Sequence, residues 1–350
     1  MFNILSEKKL SDTVGQKSEN LHFMRFLAAL LVIISHSFVF GTGGLAGEWL
    51  VELTDAQLTM GGLAVSIFFL CGGYLIAMSM EKSKTAKKYF EARLIRLLPP
   101  LFFVTFALVI LGGFLTQLSV TEYYTSIDTW KYMLNSIFVL THNLPGVFTN
   151  NISGSAVNGA LWTLPVEFVC YVLCFIAYKL GFLDKKRFPW SIPLVAVGTA
   201  AVWIVGGIIP LAREVIRPVL LFYIGMGYWI YREHIRLNTK YFLIAVTGFL
   251  LSFILHLGYV GMLLFFPYIM FTMWFGFTQC SPKIGKIGNY SYGIYLWGCP
   301  VQQSIVHFMG GEMNPYLNFI LAIPIATVLG MITYEISEKR FLSWYKQRRK

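Results

Sequence analysis

Apolar runs about as long as a bilayer is thick dominate this sequence, and the first of them is Leu21–Phe40. About twenty such residues cross a hydrocarbon core of roughly 30 Å as a helix. The run nevertheless contains two ionisable side chains, Arg25 near its start and His36 deep inside. Eleven residues at about 100° each return to nearly the same helix face, so Arg25 and His36 share one side. Ionisable groups at membrane depth usually face a protein interior or a wet cavity, which makes both candidates for function.

Ten apolar runs can be counted, and 56% of the 350 residues are hydrophobic while 13% are charged. A soluble chain carries about 25% charged residues. We therefore predict an all-α integral membrane protein, a bundle of about ten transmembrane helices. Because no cleavage site follows the first run, we interpret it as a retained span and not as a signal peptide. The predicted spans are 21–40, 60–80, 97–117, 161–180, 190–211, 215–231, 241–257, 259–278, 291–310 and 315–335.

The distribution of basic residues sets the orientation of these spans. If the N-terminus is cytoplasmic, all but three of the 28 lysines and arginines fall in cytoplasmic segments, the exceptions being Lys131, Arg213 and Arg217. This asymmetry follows the positive-inside rule and predicts that both termini are cytoplasmic. The formal net charge of +11 is then a topology signal and not a nucleic-acid-binding surface. The five cysteines lack the spacing of metal ligands, so no metal site is predicted.

We predict one membrane domain over residues 21–338, after a polar cytoplasmic segment 1–20 and before a basic cytoplasmic tail 339–350. The longest outer segment is the loop 118–160. Within it, Tyr132–Phe148 is apolar, yet it is too short and too interrupted to span comfortably. We interpret this stretch as an interfacial or re-entrant piece, because an eleventh span would place the basic residues after the fourth span outside.

A carboxylate in the fourth span is predicted at the depth of His36. In this orientation His36 lies about 22 Å from the inner boundary, and Glu167 lies about 9 Å below the outer one. Such a pair suits a base and its orienting carboxylate, in which the imidazole takes a proton from a hydroxyl. Tyr171 follows Glu167 by four residues and is predicted to contact it. The alternative is that these groups are polar contacts between helices.

A second cluster lies on the cytoplasmic side. Arg93 and Arg96 are predicted on a short helix that Pro99 and Pro100 then disturb. With Arg25 at the inner mouth of the first span, three guanidiniums gather where a phosphate-bearing cytosolic ligand would arrive. The alternative is a juxtamembrane basic cluster on anionic lipid.

Two further patterns concern small residues and a surface sequon. Gly72-Gly73 interrupts the second span and predicts close approach of another backbone or of a slim ligand. Asn151-Ile152-Ser153 matches an N-glycosylation sequon, a triplet that is common by chance.

Six motifs occur in order over about residues 21 to 342. They are Arg25-x10-His36, FFLCGGYL from Phe68 to Leu75, Arg93-x-x-Arg96, LWTLPVEFVCY from Leu161 to Tyr171, SYGIYLWGCP from Ser291 to Pro300, and ISEKRF near the end. Together they resemble the motifs of the membrane acyltransferases of acyltransferase family 3. The resemblance implies ten helices and acyl-CoA, usually acetyl-CoA, as a donor bound from the cytoplasm, with no permanently bound cofactor. The acceptor it implies is a hydroxyl of a surface glycan or lipid-linked saccharide.

The resemblance implies catalytic roles for His36 and Glu167 and donor binding by Arg25, Arg93 and Arg96. Further substrate or supporting contacts are expected from Gly73, Trp162, Tyr171, Tyr292 and Tyr295.

The chain departs from the usual motifs at three positions, with Gly72 in place of a common serine, Gly298 in place of a histidine and Arg340 in place of a proline. Many family members carry an extracytoplasmic esterase-like domain after the bundle. Because only a basic tail follows the last span here, we expect the stand-alone form.

These observations predict a multi-pass O-acyltransferase of the cytoplasmic (plasma) membrane of a bacterium, which transfers acetyl from acetyl-CoA to an extracytoplasmic saccharide. His36 either deprotonates the acceptor hydroxyl or transiently accepts the acyl group, and both routes stay open. The aromatic residues of loop 118–160, including Trp130 and Tyr132, are expected to stack on the acceptor sugar. The alternative function is a transporter or flippase, which typically shows internal repeats and broken helices that are not evident here.

Overall fold

The computed structural model describes residues 7–83, 85–208 and 211–348. Two short strands, β1 (Lys8–Lys9) and β2 (Arg236–Leu237), pair antiparallel with Lys8 opposite Leu237. The α-helices, in chain order, are α1 Glu19–Thr42, α2 Trp49–Leu53, α3 Met60–Ser83, α4 Ala86–Gly112, α5 Val120–Thr125, α6 Ile127–Lys131, α7 Thr163–Lys179, α8 Ile192–Val205, α9 Leu211–Ile230, α10 Thr239–Ile254, α11 Gly258–Leu264, α12 Phe266–Phe271, α13 Pro282–Ile287, α14 Ser291–Phe308, α15 Pro315–Thr333 and α16 Lys339–Gln347.

Shorter helical turns join several of these helices. Two of them are π-helical, Thr272–Gly276 after α12 and Tyr334–Glu338 between α15 and α16. The 3-10 turns are Leu10–Thr13, Tyr132–Ile137, Gly159–Trp162, Phe188–Ser191 and Gly288–Tyr290.

In the described residues each of the ten predicted apolar runs overlaps helical structure, and the run 259–278 is divided between α11, α12 and the π-helical turn Thr272–Gly276. Within the described residues, six helical stretches are long and apolar enough to cross a bilayer, and a seventh is the pair Gly258–Leu264 and Phe266–Gly276, bent by 45°. A helical membrane protein is therefore confirmed, whereas the count of ten and the cytoplasmic termini stay predictions. Residues 1–6, 84, 209–210 and 349–350 of the predicted segments lie outside the described residues. The six stretches are Glu19–Thr42, Met60–Ser83, Ala86–Gly112, Gly159–Lys179, Phe188–Val205 and Pro315–Tyr345.

The helix of the third span begins earlier than the sequence indicated. α4 starts at Ala86 and continues through Pro99 and Pro100 to Gly112, so the prediction of a short helix ended by these prolines is wrong. Each proline removes one helical N–H donor, but membrane helices tolerate this loss where neighbouring groups satisfy the backbone. Consequently Arg93 and Arg96 lie on the membrane-length helix itself.

The loop 118–160 contains no helix of membrane-spanning length in the structure. Its regular elements are α5, α6 and the 3-10 turn Tyr132–Ile137, and single antiparallel bridges join Thr116 to Val147 and Asn143 to Ala156. The stretch Tyr132–Phe148 is thus not a helical span, in agreement with the sequence analysis.

The chain divides into two compact units, each assembled from three segments. The first comprises Met1–Arg25, Val65–Tyr89 and Val166–Gly288. In its described part an aromatic cluster forms the core, where the Tyr74 ring meets Trp229 edge-on at 5.5 Å between centroids and Phe271 at 5.1 Å. These contacts join α3 to α9 and α12.

The second unit comprises Phe26–Ala64, Phe90–Pro165 and Asn289–Lys350. Its central contact joins α14 to α15, whose backbones approach so closely that a Cβ on Gly293 would lie 2.7 Å from the Gly330 carbonyl oxygen. Trp297 of α14 donates its indole N–H to the Thr333 hydroxyl at 2.9 Å. Small residues at a helix crossing and buried polar pairs are the usual stabilising contacts inside a membrane.

Candidate active site

Glu167 lies on α7 in the first unit, where its carboxylate accepts a hydrogen bond from the Tyr171 hydroxyl. The two residues are four apart and therefore face each other along one side of the helix. The Tyr171 carbonyl accepts a hydrogen bond from the Tyr89 hydroxyl at 2.9 Å, which ties α7 to the start of α4. The predicted contact between Tyr171 and Glu167 is confirmed, and it orients a half-buried carboxylate.

Gly73 lies where the backbones of α3 and α9 touch. A Cβ at Gly73 would lie 1.9 Å from the Phe222 carbonyl oxygen, and a Cβ at Gly225 would lie 2.3 Å from the Leu70 carbonyl oxygen. The close approach predicted for Gly73 is thus to another backbone. This packing explains the glycine, and a supporting role for Gly73 at the site stays a prediction.

His36 lies on α1 in the second unit, and its own helix sets the orientation of its ring. Nδ1 is 2.9 Å from the Val32 carbonyl oxygen one turn earlier, and the ring stacks on Phe40 with centroids 5.6 Å apart. A carbonyl oxygen only accepts hydrogen bonds, so the proton of the neutral ring is on Nδ1 and the lone pair is on Nε2. The predicted orienting group was the Glu167 carboxylate, whereas the contact with the Val32 carbonyl was not predicted.

The Arg96 side chain on α4 has a carboxylate partner that the sequence analysis did not consider. Its Nε atom is 3.9 Å from Oε1 of Glu338, and the side chains are 36% and 8% exposed respectively. Glu338 belongs to the ISEKRF motif, where an acidic residue stands in an otherwise basic segment. An acidic residue beside Lys339 and Arg340 was the sequence feature that could have indicated a partner for a half-buried cation. Arg93 lies one turn earlier on α4 and is half-buried, as is Arg25 on α1.

The segment around Trp162 is fixed to α14. The Tyr295 hydroxyl donates to the Ala160 carbonyl at 2.6 Å and lies 2.6 Å from the Thr163 hydroxyl. Tyr292, one turn earlier on α14, donates its hydroxyl to the Leu97 carbonyl at 3.1 Å, next to Arg96. Both tyrosines therefore support their neighbours, and Tyr295 is buried.

One expectation about the loop 118–160, the stacking of Tyr132 on the acceptor sugar, is wrong. Tyr132 is fully buried and therefore cannot stack on a sugar, whereas Trp130 is 45% exposed. Asn151 of the sequon is also buried, and its amide donates to the side-chain oxygen of Gln303 at 2.7 Å. An amide held in this way is not an accessible glycosylation acceptor.

The structure thus brings together Glu167 with Tyr171, the Trp162 segment with Tyr295, and the neighbour of Arg96 with Tyr292. The pairing of His36 with Glu167 and the gathering of Arg25 with Arg93 and Arg96 stay predictions.

Comparison with known proteins identifies the family. The family model described as "Acyltransferase domain" matches residues 18–335. The chain is 26% identical over 338 residues to the O-acetyl transferase of Shigella phage Sf6, covering 93% of this chain and 97% of that protein. It is 25% identical over 219 residues to Nodulation protein 10 of Rhizobium leguminosarum bv. viciae, covering 61% and 57%. No solved structure matches the chain.

These matches favour an acyltransferase over the alternative of a transporter or flippase, because they extend over nearly the whole chain. The protein belongs to acyltransferase family 3 and is an O-acyltransferase.

Proposed function

We propose that this O-acyltransferase moves an acetyl or other acyl group from cytosolic acetyl-CoA or acyl-CoA to a hydroxyl of an extracytoplasmic polysaccharide or lipid-linked saccharide. The observation that carries the proposal is the contact of His36 Nδ1 with the Val32 carbonyl oxygen, because it leaves Nε2 as the basic nitrogen of a histidine on a membrane-length helix. The name of the phage relative supports acetyl as the transferred group. Phage and Rhizobium relatives fit the cytoplasmic membrane of a bacterium.

The Nε2 lone pair of His36 can serve either of two routes. In the direct route Nε2 takes the proton of the acceptor hydroxyl while that oxygen attacks the thioester carbonyl carbon. The carbon–sulfur bond then breaks, and the imidazolium returns the proton to the departing thiolate. In the covalent route Nε2 attacks the thioester carbonyl carbon, the carbon–sulfur bond breaks, and coenzyme A leaves as its thiolate. The acceptor hydroxyl then attacks the carbonyl carbon of the acyl-imidazole, the carbon–nitrogen bond breaks, and the hydroxyl proton passes to the thiolate.

Glu167 is the proposed second catalytic group. A carboxylate stabilises the imidazolium that forms in the direct route. Its hydrogen bond from Tyr171 supports this assignment, because a carboxylate with a fixed orientation needs no rearrangement when charge develops.

Arg25, Arg93 and Arg96 are the proposed contacts for the donor phosphates. We expect Arg93→Ala/Arg96→Ala to raise the KM for acetyl-CoA at least about tenfold and to change kcat less, because each guanidinium lost removes charge-assisted hydrogen bonds to phosphate. Steady-state rates at varied acetyl-CoA measure both constants. The control is Arg236→Ala/Lys240→Ala, which removes two cations elsewhere on the predicted cytoplasmic side. An equal rise in KM for both double variants would contradict the assignment.

Label transfer tests the proposed function directly. Inverted membrane vesicles containing the protein are supplied with radiolabelled acetyl-CoA on their outward-facing cytoplasmic side. Label is expected in alkali-labile ester linkage on saccharide inside the vesicles, and not in vesicles without the protein. Label that stays entirely in acetyl-CoA or free acetate, across a panel of envelope saccharides, would contradict a saccharide acceptor.

A further inference from the structure

We propose that Glu338 is a positioning residue for the donor site, a fixed counter-ion of Arg96 against which the donor phosphate competes. The inference rests on the proposed function, in which Arg96 binds phosphate. The inference extends the proposed function, because it states that the charge of Glu338 sets the affinity of the protein for the donor.

Glu338 is held in place by a buried hydrogen-bonded turn. It ends the π-helical turn Tyr334–Glu338, and an inserted residue of this kind rotates the following side chains by about 100° relative to a regular helix. The Ser337 hydroxyl donates to the Thr333 carbonyl at 2.6 Å, and the Thr333 hydroxyl accepts from the Trp297 indole at 2.9 Å. The turn is therefore anchored to α14.

Arg96 is held from the other side. The Tyr292 hydroxyl of α14 binds the Leu97 carbonyl at 3.1 Å, directly after Arg96. A second hydrogen bond joins α4 to α16, the helix that follows the turn, since the Tyr345 hydroxyl of α16 donates to Glu91 of α4 at 3.4 Å. Two elements fixed in this way hold a cation and an anion close together at one point.

The pair is asymmetric in a way that favours competition by an anion from solvent. The Arg96 side chain is 36% exposed and that of Glu338 is 8% exposed, so the guanidinium is the more accessible member of the pair. Arg96 Nε and Glu338 Oε1 are 3.9 Å apart, which is within ion-pair range. Glu338 therefore reduces the positive potential at Arg96 through charge, which lowers the affinity of Arg96 for a phosphate.

The experiment measures the dissociation constant of coenzyme A, which lacks a reactive thioester, with purified full-length protein. Wild type, Glu338→Gln, Arg96→Gln and the double variant form a thermodynamic cycle. We expect Glu338→Gln to tighten binding about three- to tenfold and Arg96→Gln to weaken it about tenfold or more. In the Arg96→Gln background, Glu338→Gln should change the constant by less than about twofold, because the two residues act through each other.

A matched control lies in the same turn. Glu335 is three residues earlier, and its carboxylate pairs with Lys339 at 2.5 Å with half of the side chain exposed. Glu335→Gln removes the same charge from the same turn, and we expect no change in coenzyme A binding.

A purely structural role for Glu338 gives a different result. Unchanged or weaker binding by Glu338→Gln overturns the inference, and so does equal tightening in the Arg96→Gln background. If the wild type itself fails to bind coenzyme A, both the inference and the proposed acyl-CoA donor are contradicted.

Stability provides a second readout, because Arg96→Gln removes a cation beside a buried carboxylate and should lower the unfolding temperature. Adding Glu338→Gln to the Arg96→Gln variant should raise its unfolding temperature back toward the wild-type value without restoring coenzyme A binding. An unfolding temperature that stays low in the double variant would contradict the ion pair between Arg96 and Glu338.

Discussion

Replacing His36 with alanine is expected to reduce acetyl transfer by about 10²- to 10⁴-fold, because the variant lacks the nitrogen that takes the proton or the acyl group. The measurement is transfer of label from radiolabelled acetyl-CoA, together with slow thioester hydrolysis in the absence of acceptor. Both reactions should need His36. Substantial transfer by a well-folded His36→Ala protein would contradict its catalytic role.

The structure indicates that this variant stays folded. The contacts of His36 are a hydrogen bond to Val32 within the same helix and stacking on Phe40. The Val32 carbonyl keeps its helical N–H donor after the substitution, so no buried backbone group loses its last partner. His234→Ala is a suitable control, since His234 is exposed and follows α9. Membrane yield and thermal unfolding of both variants should match those of the wild type.

A burst experiment separates the two routes open to His36. If Nε2 accepts the acyl group, mixing the protein with acetyl-CoA in the absence of acceptor should release about one coenzyme A per protein in a fast phase, as for other covalent intermediates. If His36 acts only as a base, the release should show no fast phase. The burst should also be absent in His36→Ala.

The largest expected effect on stability is that of Gly73→Ala. The added Cβ would lie 1.9 Å from the Phe222 carbonyl oxygen, and a backbone oxygen cannot rotate aside as a side chain can. α3 and α9 would have to separate, which we expect to lower the free energy of unfolding by about 3 kcal/mol or more. Thermal unfolding in detergent and the yield of monodisperse protein measure the loss.

The adjacent glycine provides the control for this prediction. A Cβ at Gly72 would meet the Phe222 ring at 3.5 Å, an ordinary van der Waals contact. Gly72→Ala should therefore leave stability within about 1 kcal/mol of wild type, with a small gain from the better helix propensity of alanine. Equal stability of the two variants would contradict the backbone contact between α3 and α9.

Features that depend on one helix could be predicted from the sequence alone. The positions of the apolar helices follow from run length, because a bilayer sets the length of an apolar helix. The contact between Tyr171 and Glu167 follows from a spacing of four residues, since the geometry of one α-helix determines it. The placement of Arg25 and His36 on one continuous helix, α1, has the same origin.

Features that depend on distant segments were decided only by the tertiary structure. α4 passes through Pro99 and Pro100, Tyr132 is buried, and Glu338 faces Arg96 across a long sequence separation. Local propensity predicts a helix end at paired prolines and an exposed loop tyrosine, but packing against neighbouring elements overrides both. The sequence thus determined on which helices the predicted site residues lie. Only packing decided which charges meet, because the partner of a buried charge comes from another part of the chain.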